Sequence, residues 1–336
     1  MDFLAVIHGE DRMMDIIDVM DKKGLYLQGH APYVSGRMLS AYLCGGPNTC
    51  HETRDRKEAL EKLRSGMFVD ARDSSITKNV QEVYEGVKGV RFFDHLCLCT
   101  DDREADDILH VGHMNDVVRS AIRCGMDPVT AIKSATLNTA REIHLENLGA
   151  IAPGYVADML LVDDLTELKP SHVFFGGKLV ARDGKLTVEI PHREYPLEKV
   201  NTMCVKELSR EDFVIHAPVE NGTVTVHVME YPDLNLSSTL LTTAQLPVKN
   251  GEVCLEGEDL KFVAVVNRHK GHDTIGLGIV KGFGTTCGAL ASTVSHDSHN
   301  LTIVYDTPEN ALLAANALIQ CCLLYTSPSP RDTERS

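Results

Sequence analysis

Positive charge is scarce in this sequence, and long hydrophobic runs are missing. Lysine and arginine number 33 against 48 aspartates and glutamates in 336 residues, which gives a formal net charge of −15. A nucleic-acid binder needs a basic face, so we expect no nucleic-acid partner. The longest apolar stretch, 311–325, is interrupted by Asn316 and Gln320 and falls short of the roughly 18 residues of a membrane span. We therefore expect no membrane association.

Paired metal-binding cysteines are also missing. None of the ten cysteines forms a CxxC pair, which argues against a thiolate zinc site of the usual spacing. Ten cysteines are too few for a disulfide scaffold in a chain of this length, and Cys97 and Cys99 lie in apolar surroundings. We expect reduced thiols in a cytoplasmic protein. A hydrophobic fraction of 43% and the chain length predict about two folded domains.

Strand-like and helix-like segments alternate through the first part of the chain. The apolar run 3–7 and the short run Leu25–Leu27 favour strands, as do Met67–Ala71 and Phe93–Thr100. Thr53 is expected to cap a charged helix. Repeated βα units imply parallel strands joined by right-handed crossovers.

Polar residues lie at the ends of three predicted strands. Leu25–Leu27 runs into Gly29 and His30, a brief strand reaches Cys50, His51 and Glu52, and Phe93–Thr100 ends at Asp101. Because the carboxyl ends of parallel strands meet at one face, we expect these side chains to converge there. Imidazole and carboxylate groups are ligands for zinc, iron or manganese, and a metal with an open position acidifies bound water. Ordinary hydrogen-bonded structural histidines are the alternative.

Five motifs along the first half of the chain, taken in order, resemble the adenine deaminases of the amidohydrolase superfamily. They are GHAPYVSGRMLSAYLCGG, CHET, LCTDDREADDIL, DPVTAIKSATLNTA and LGAIAPGYVADMLLVDD. The later segment VNRHKGHDTIGLGIVKGFGTTCGALASTVSHDSHN is similar to the extra C-terminal domain of that family. The resemblance covers residues 1 to about 320 and implies a fragment that lacks the N-terminal part of the enzyme.

The fold class that the resemblance implies is α/β. Residues 1–147 would form the C-terminal half of a (β/α)8 TIM-like barrel, strands five to eight. Residues 148–190 would form a small β-sandwich-type element, and 191–320 an α+β C-terminal domain. The tail 322–336 resembles the translated read-through of a sequencing adapter, so it is left out of the fold prediction.

The activity that the resemblance implies is hydrolysis of adenine to hypoxanthine and ammonia, a reaction of purine salvage, by a homo-oligomer. The cofactor would be a divalent metal, with Mn²⁺ as the first choice and Fe²⁺ or Zn²⁺ as alternatives. His30 and His51 would bind the metal, and Asp101 would bind it and shuttle the proton. Glu52 would contact the substrate ring, although an ordinary acid at a helix start is the alternative.

Further site candidates are weaker, and each has a plain structural alternative. Ser35, Asp102, Arg103 and His113 are predicted to line the substrate pocket. Alternatively, Ser35 caps a helix, Asp102 pairs with Arg103, and His113 lies in a surface loop. A second metal or a polar turn would account for the ligand-type group His296, Asp297 and His299.

The sequence departs from the family pattern in ways that keep two other functions open. The first-strand His-x-His pair and the fourth-strand carboxylate are absent, and Gln28 and Cys50 stand where the family has aspartate. The alternatives are another metal-dependent cyclic amidohydrolase, or a catalytically inert fragment with an incomplete metal site.

Overall fold

The computed structural model describes residues 2–192, 196, 201–232, 239–256, 259–269, 271, 273–296, 298–321 and 327–328. The chain divides into two compact units, Met1–Pro191 and His192–Ser336. Most of the predicted tail, 322–326 and 329–336, lies outside the described residues. None of the described helices is both long and apolar enough to span a membrane.

A three-stranded parallel sheet organises the first unit. Its strands β1 (Thr49–Cys50), β2 (Phe68–Arg72) and β3 (Leu96–Cys99) lie side by side in chain order. This order confirms the predicted parallel βα pattern for these strands. The helices of the unit are α1 (Phe3–His8), α2 (Asp11–Lys22), α3 (Gly36–Cys44), α4 (Arg56–Arg64), α5 (Val80–Val87), α6 (Ala105–His110), α7 (Met114–Arg123), α8 (Pro128–Ala135) and α9 (Leu137–Glu142).

The two faces of this sheet differ in chemistry. Val69 and Ala71 of β2, with Leu96 and Leu98 of β3, are buried in one apolar core with residues of α5, α7 and α8. Successive side chains of a strand point to opposite faces, so the intervening residues lie on the other face. These are polar or sulfur-containing: Asp70, Arg72, Cys97 and Cys99. The sheet therefore has an apolar face that packs against α5, α7 and α8, and an opposite face with polar and sulfur-containing side chains.

Close packing of α4 against α5 depends on one glycine. A Cβ atom built on Gly86 of α5 would overlap the backbone of Arg56, the first residue of α4. Only a residue without a side chain allows the two helices to approach this closely.

The prediction of a strand at residues 3–7 was wrong, because this run forms α1. The Asp2 side chain accepts hydrogen bonds from the backbone N–H groups of Leu4 and Ala5, which caps the helix. Gly9 ends it in the left-handed conformation, with φ of 65°. Local capping thus decides between helix and strand for a short apolar run.

The strand predicted at Leu25–Leu27 is also absent among the described residues. The segment runs beside β1, but a side chain joins the two instead of a backbone ladder. The Thr49 hydroxyl accepts from Gly29 N–H at 2.9 Å and lies 3.2 Å from the Gly29 carbonyl oxygen, to which it donates. The helix predicted to begin at Thr53 begins later, since the Asp55 side chain accepts from Lys57 and Glu58 N–H.

A four-stranded antiparallel sheet completes the first unit, in the segment where a sandwich-type element was predicted. It runs in the order β4-β5-β6-β7, with two-residue turns between β5 and β6 and between β6 and β7, and a longer connection, 163–169, between β4 and β5. Its strands are β4 (Met159–Val162), β5 (Pro170–Phe175), β6 (Lys178–Arg182) and β7 (Lys185–Leu186).

The second unit is an eight-stranded mixed sheet with one long helix, α10 (Pro308–Cys321), packed on it. The strand order is β10-β9-β8-β12-β11-β14-β13-β15. The helix contributes Ala311, Ala314 and Leu318 to a core centred on Phe213 and Tyr305. The strands are β8 (Asn221–Glu230), β9 (Leu240–Lys249), β10 (Glu252–Val253), β11 (Leu260–Val266), β12 (Ile275–Lys281), β13 (Ala289–Ser295), β14 (Asn300–Tyr305) and β15 (Ser327–Pro328).

Candidate metal centre

Two histidines and a glutamate meet at the carboxyl end of β1. His51 and Glu52 follow the strand directly, and His30 ends the neighbouring extended segment. The two imidazole rings have centroids 5.7 Å apart, and His30 Nδ1 lies 3.4 Å from Glu52 Oε2. Ligand atoms of His30, His51 and Glu52 all lie within 4.8 Å of one another. We call these three residues the rim cluster.

Asp101 lies next to the rim cluster, at the end of β3. Its Oδ1 is 4.0 Å from His51 Nε2. The backbone of Asp101 has φ of 52°, a left-handed conformation that is uncommon for residues other than glycine. Strained backbone of this kind concentrates at functional sites. The structure thus places the predicted Asp101 beside His51. Its own role as a metal ligand stays a prediction.

Arg72, which the sequence analysis missed, joins the two acids of this site. Its Nη2 is 3.2 Å from Glu52 Oε1, and its Nη1 donates to Asp101 Oδ2. Arg72 is the last residue of β2, so it sits between the carboxyl ends of β1 and β3. A detectable sign was the alternation in β2, where Asp70 and Arg72 share one face of an otherwise apolar strand.

The rim cluster fits a divalent cation. Burial lowers the pKa of His51, and the negative charge of Asp101 opposes this shift only in part. A neutral imidazole is the form that ligates metals. Two imidazoles with a carboxylate form a donor set that Mn²⁺, Fe²⁺ and Zn²⁺ accept. His30, His51 and Glu52 are therefore suited to hold such an ion, while Arg72 and Asp101 flank it.

A buried ion pair supports the segments that carry the rim cluster. Lys62 and Glu58, one turn apart on α4, are almost fully buried, and Lys62 Nζ lies 2.5 Å from Glu58 Oε1. The same ammonium group donates to the Ala31 carbonyl at 2.6 Å and to Cys50 Sγ at 3.2 Å. Ala31 follows His30 and Cys50 precedes His51. Lys62 thus ties together the two chain segments that present the imidazoles.

Glu58 extends this support on its other side. Its Oε1 accepts from Tyr33 N–H at 2.8 Å, and its Oε2 accepts from Arg54 N–H at 2.7 Å. Arg54 lies two residues after Glu52. The pair Lys62–Glu58 therefore contacts chain on both sides of the site.

Asn79 fixes the turn that carries His51 and Glu52. Its side-chain amide donates to the carbonyl oxygens of His51 and Thr53 at 3.1 Å and 3.0 Å, and its Oδ1 accepts from Arg72 N–H at 2.7 Å. Asn79 is buried, so these backbone groups have little access to replacement water. One side chain thus aligns the end of β1 with the end of β2.

We predict that Asn79→Ala lowers the free energy of unfolding of the first unit. The expected loss is about 1–3 kcal/mol for each buried backbone group left without a partner. Amide hydrogen exchange in β2 measures it for this unit. Asn115→Ala is the matched control: Asn115 accepts only an exposed local hydrogen bond from His113 N–H, and its removal should cost less than about 0.5 kcal/mol. Equal losses in the two variants would contradict this role of Asn79.

The remaining pocket candidates take varied positions. Arg103 is buried and pairs with Asp116 at 2.7 Å, and it also donates to the Asp73 carbonyl. This contact helps to hold the pKa of Asp116 below its usual range against the opposing effect of burial. Ser35 precedes α3, and His113 precedes α7, each at the N-cap position without a side-chain capping bond. Their substrate contacts stay predictions, as does that of Asp102.

The histidines predicted in the second unit lie close together. The rings of His296 and His299 have centroids 5.9 Å apart and meet edge to face. The His299 carbonyl accepts from the Arg268 guanidinium, so the turn is attached to the end of β11. Asp297 lies outside the described residues. The described part of the chain adds no third ligand to these two rings.

Parallel strands with imidazole and carboxylate side chains at their carboxyl ends are typical of α/β proteins that bind a ligand at that edge of the sheet. The chain belongs to the amidohydrolase family, which residues 1–180 match. That family has a TIM-barrel-like α/β fold and uses a divalent metal. Residues 237–322 match the adenine deaminase C-terminal domain.

Two curated relatives of the chain are adenine deaminases by name. The chain is 34% identical over 320 residues to the adenine deaminase of Kosmotoga olearia, and this alignment covers 95% of the chain and 54% of the relative. It is 38% identical over 306 residues to adenine deaminase 1 of Carboxydothermus hydrogenoformans, covering 88% and 49%. The chain thus spans about half the length of the relatives it matches. A solved β-aspartyl dipeptidase from Fervidobacterium islandicum is 20% identical over 55% of each chain, with a TM-score of 0.40.

Proposed function

We propose that this chain is the C-terminal part of an adenine deaminase, which converts adenine and water into hypoxanthine and ammonia. The observation that carries the proposal is the grouping of His30, His51 and Glu52 beside Asp101, at the edge of the sheet where the parallel strands β1 and β3 end. The match of residues 237–322 to the adenine deaminase C-terminal domain supports the choice of substrate. In this proposal β1, β2 and β3 are strands six to eight of the barrel, and the extended segment before His30 takes the position of the fifth.

Each residue of the site has a definite task in this reaction. His30, His51 and Glu52 would hold a divalent cation, which would supply a water molecule acidified at neutral pH. Asp101 accepts a proton as water attacks C6 of the purine ring and returns it to the departing amine. Arg72 keeps the Asp101 carboxylate turned toward His51, since it binds the other oxygen. Fixing these groups beside a flat ring replaces a costly encounter in solution.

Several finer features belong to the same proposal. Mn²⁺ is the proposed ion, with Fe²⁺ and Zn²⁺ as alternatives that the same donors accept. Eight cysteines, from Cys44 to Cys287, are free, which agrees with a reducing compartment, and we propose the cytoplasm. We also propose that the protein forms a homo-oligomer and that its reaction belongs to purine salvage.

The test is ammonia release by the protein encoded when the reading frame is extended upstream. We expect the Mn²⁺-loaded protein to release ammonia from adenine and not from guanine or cytosine. Release from a cyclic amide in place of adenine would instead assign another amidohydrolase activity. A folded, metal-loaded protein that acts on none of these compounds would refute the proposal.

A further inference from the structure

A second group of ligand-type side chains lies inside the first unit, away from the rim cluster. It consists of Asp70 on β2, Cys97 on β3 and Glu142 at the end of α9. One ligand atom of each lies within 4.8 Å of the others. All three residues are buried, with 4%, 1% and 2% of their surface exposed. We call them the inner cluster.

The strand register explains why Asp70 and Cys97 meet. They are direct neighbours across the parallel pair β2–β3, on the face opposite the one that packs against α5, α7 and α8. Arg72 and Cys99 form the next pair on this face, closer to the carboxyl ends. The inner cluster is therefore one layer deeper than Arg72 and the rim.

Both oxygens of the Asp70 carboxylate are buried, and no N–H or hydroxyl group of the described chain donates to either of them. Glu142 is near enough for a hydrogen bond only when one of the two acids carries a proton. Among the described residues, no lysine, arginine or histidine forms an ion pair with Asp70 or Glu142. Two buried carboxylates this close repel each other and lack solvation. Burial and the charge of Glu142 accordingly raise the pKa of Asp70 well above its usual range. The site needs a positive charge that the described chain does not supply.

Glu142 is held in place for such a charge. Its Oε1 accepts from the Tyr26 hydroxyl at 2.8 Å and lies 3.4 Å from the Gln28 side-chain amide. Hydrogen bonds of this kind orient the carboxylate ligands of metal sites. Tyr26 and Gln28 come from the extended segment before His30, so the cluster is enclosed by three parts of the chain.

We propose that Asp70, Cys97 and Glu142 bind a second divalent cation, of the Zn²⁺ class, inside the sheet. A proton shared by the two acids would satisfy only one Asp70 oxygen, whereas a cation attracts both. A thiol beside two carboxylates gives the mixed sulfur and oxygen donor set that a borderline-soft ion accepts. On binding, the Cys97 S–H bond breaks, its proton leaves to solvent, and a sulfur–metal bond forms.

Co²⁺ is the probe that tests this site without measuring turnover. A cobalt–thiolate bond gives a charge-transfer absorption that imidazole and carboxylate ligands do not. We expect this band in the wild-type chain. It should disappear when Zn²⁺ displaces Co²⁺, and it should be missing in Cys97→Ser. The matched control is Cys99→Ser, on the same strand and face, which should keep the band. Asp70→Asn should also lower the zinc content by one equivalent relative to the wild type.

Two outcomes would overturn the proposal. One is a wild-type protein, saturated with Co²⁺, that shows no thiolate band. The other is a band that Cys97→Ser keeps or that Cys99→Ser alone removes. Circular dichroism monitors folding of each variant. If Cys97→Ser does not fold, the near-isosteric Asp70→Asn and Glu142→Gln decide the matter through zinc content, and unchanged content in both refutes the site.

Discussion

Replacing Lys62 by methionine is expected to lower the free energy of unfolding of the first unit by about 3–5 kcal/mol. The ammonium group is fully buried, and its loss leaves the Glu58 carboxylate without its cation. The Ala31 carbonyl loses a donor at the same time. Amide hydrogen exchange in β2, measured as a function of urea concentration, reports this loss for the first unit alone.

An exposed lysine of the same unit provides the control. Lys88 pairs with Glu85 on the surface, and Lys88→Met should change stability by less than about 1 kcal/mol. Adding Glu58→Gln to Lys62→Met should restore part of the loss, because it removes the unpaired buried charge and keeps an acceptor oxygen. A Lys62→Met protein as stable as Lys88→Met would show that the buried pair does not hold these segments.

The second large effect rests on the proposed function and concerns Asp101 in the protein extended upstream. Asp101→Asn is expected to lower kcat for adenine deamination by about 10²–10⁴-fold, because the amide cannot carry a proton between water and the departing amine. The fold should survive, since asparagine keeps the shape and an acceptor for Arg72. Steady-state ammonia release measures the effect.

An exposed aspartate on α6 serves as the matched variant. Asp106→Asn makes the same charge change at a side chain that is 87% exposed and pairs with His110, and we expect turnover within about fivefold of the wild type, a loss of about 1 kcal/mol. Metal content must be measured in both proteins, because loss of the ion would lower activity without any role in proton transfer. Full metal with full activity in Asp101→Asn would remove Asp101 from the reaction.

Local sequence patterns predicted the parallel sheet well but not its edges. The apolar alternation of Phe68–Arg72 and the turns around it indicate a strand without any tertiary information. Residues 3–7 and Leu25–Leu27 are too short for periodicity to decide. The Asp2 cap makes the first a helix, and the Thr49 side chain replaces the ladder of the second. Such contacts are set by neighbours that a pattern does not contain.

The candidate site shows the same division. His51 and Asp101 follow strand ends, whereas His30 ends an extended segment that forms no strand. The three residues were predicted to converge because each was expected to follow a strand. Arg72 and Lys62 were not predicted, because an arginine at a strand end and a lysine on a charged helix are typical of a solvated surface. Their burial depends on which strands and helices become neighbours. The sequence therefore predicts the residues that are suited to bind a metal or transfer a proton, but it does not predict Arg72 and Lys62, which position them.

The left-handed backbone at Asp101 makes the residue that is best for stability differ from the residue that the proposed reaction needs. Glycine would adopt φ of 52° without steric penalty, but glycine has no carboxylate. Replacement by glycine at this position would ease folding while it removed the carboxylate to which the proposed function assigns proton transfer. Selection of variants for expression or heat resistance alone would therefore favour a change at this turn that the proposed reaction does not tolerate.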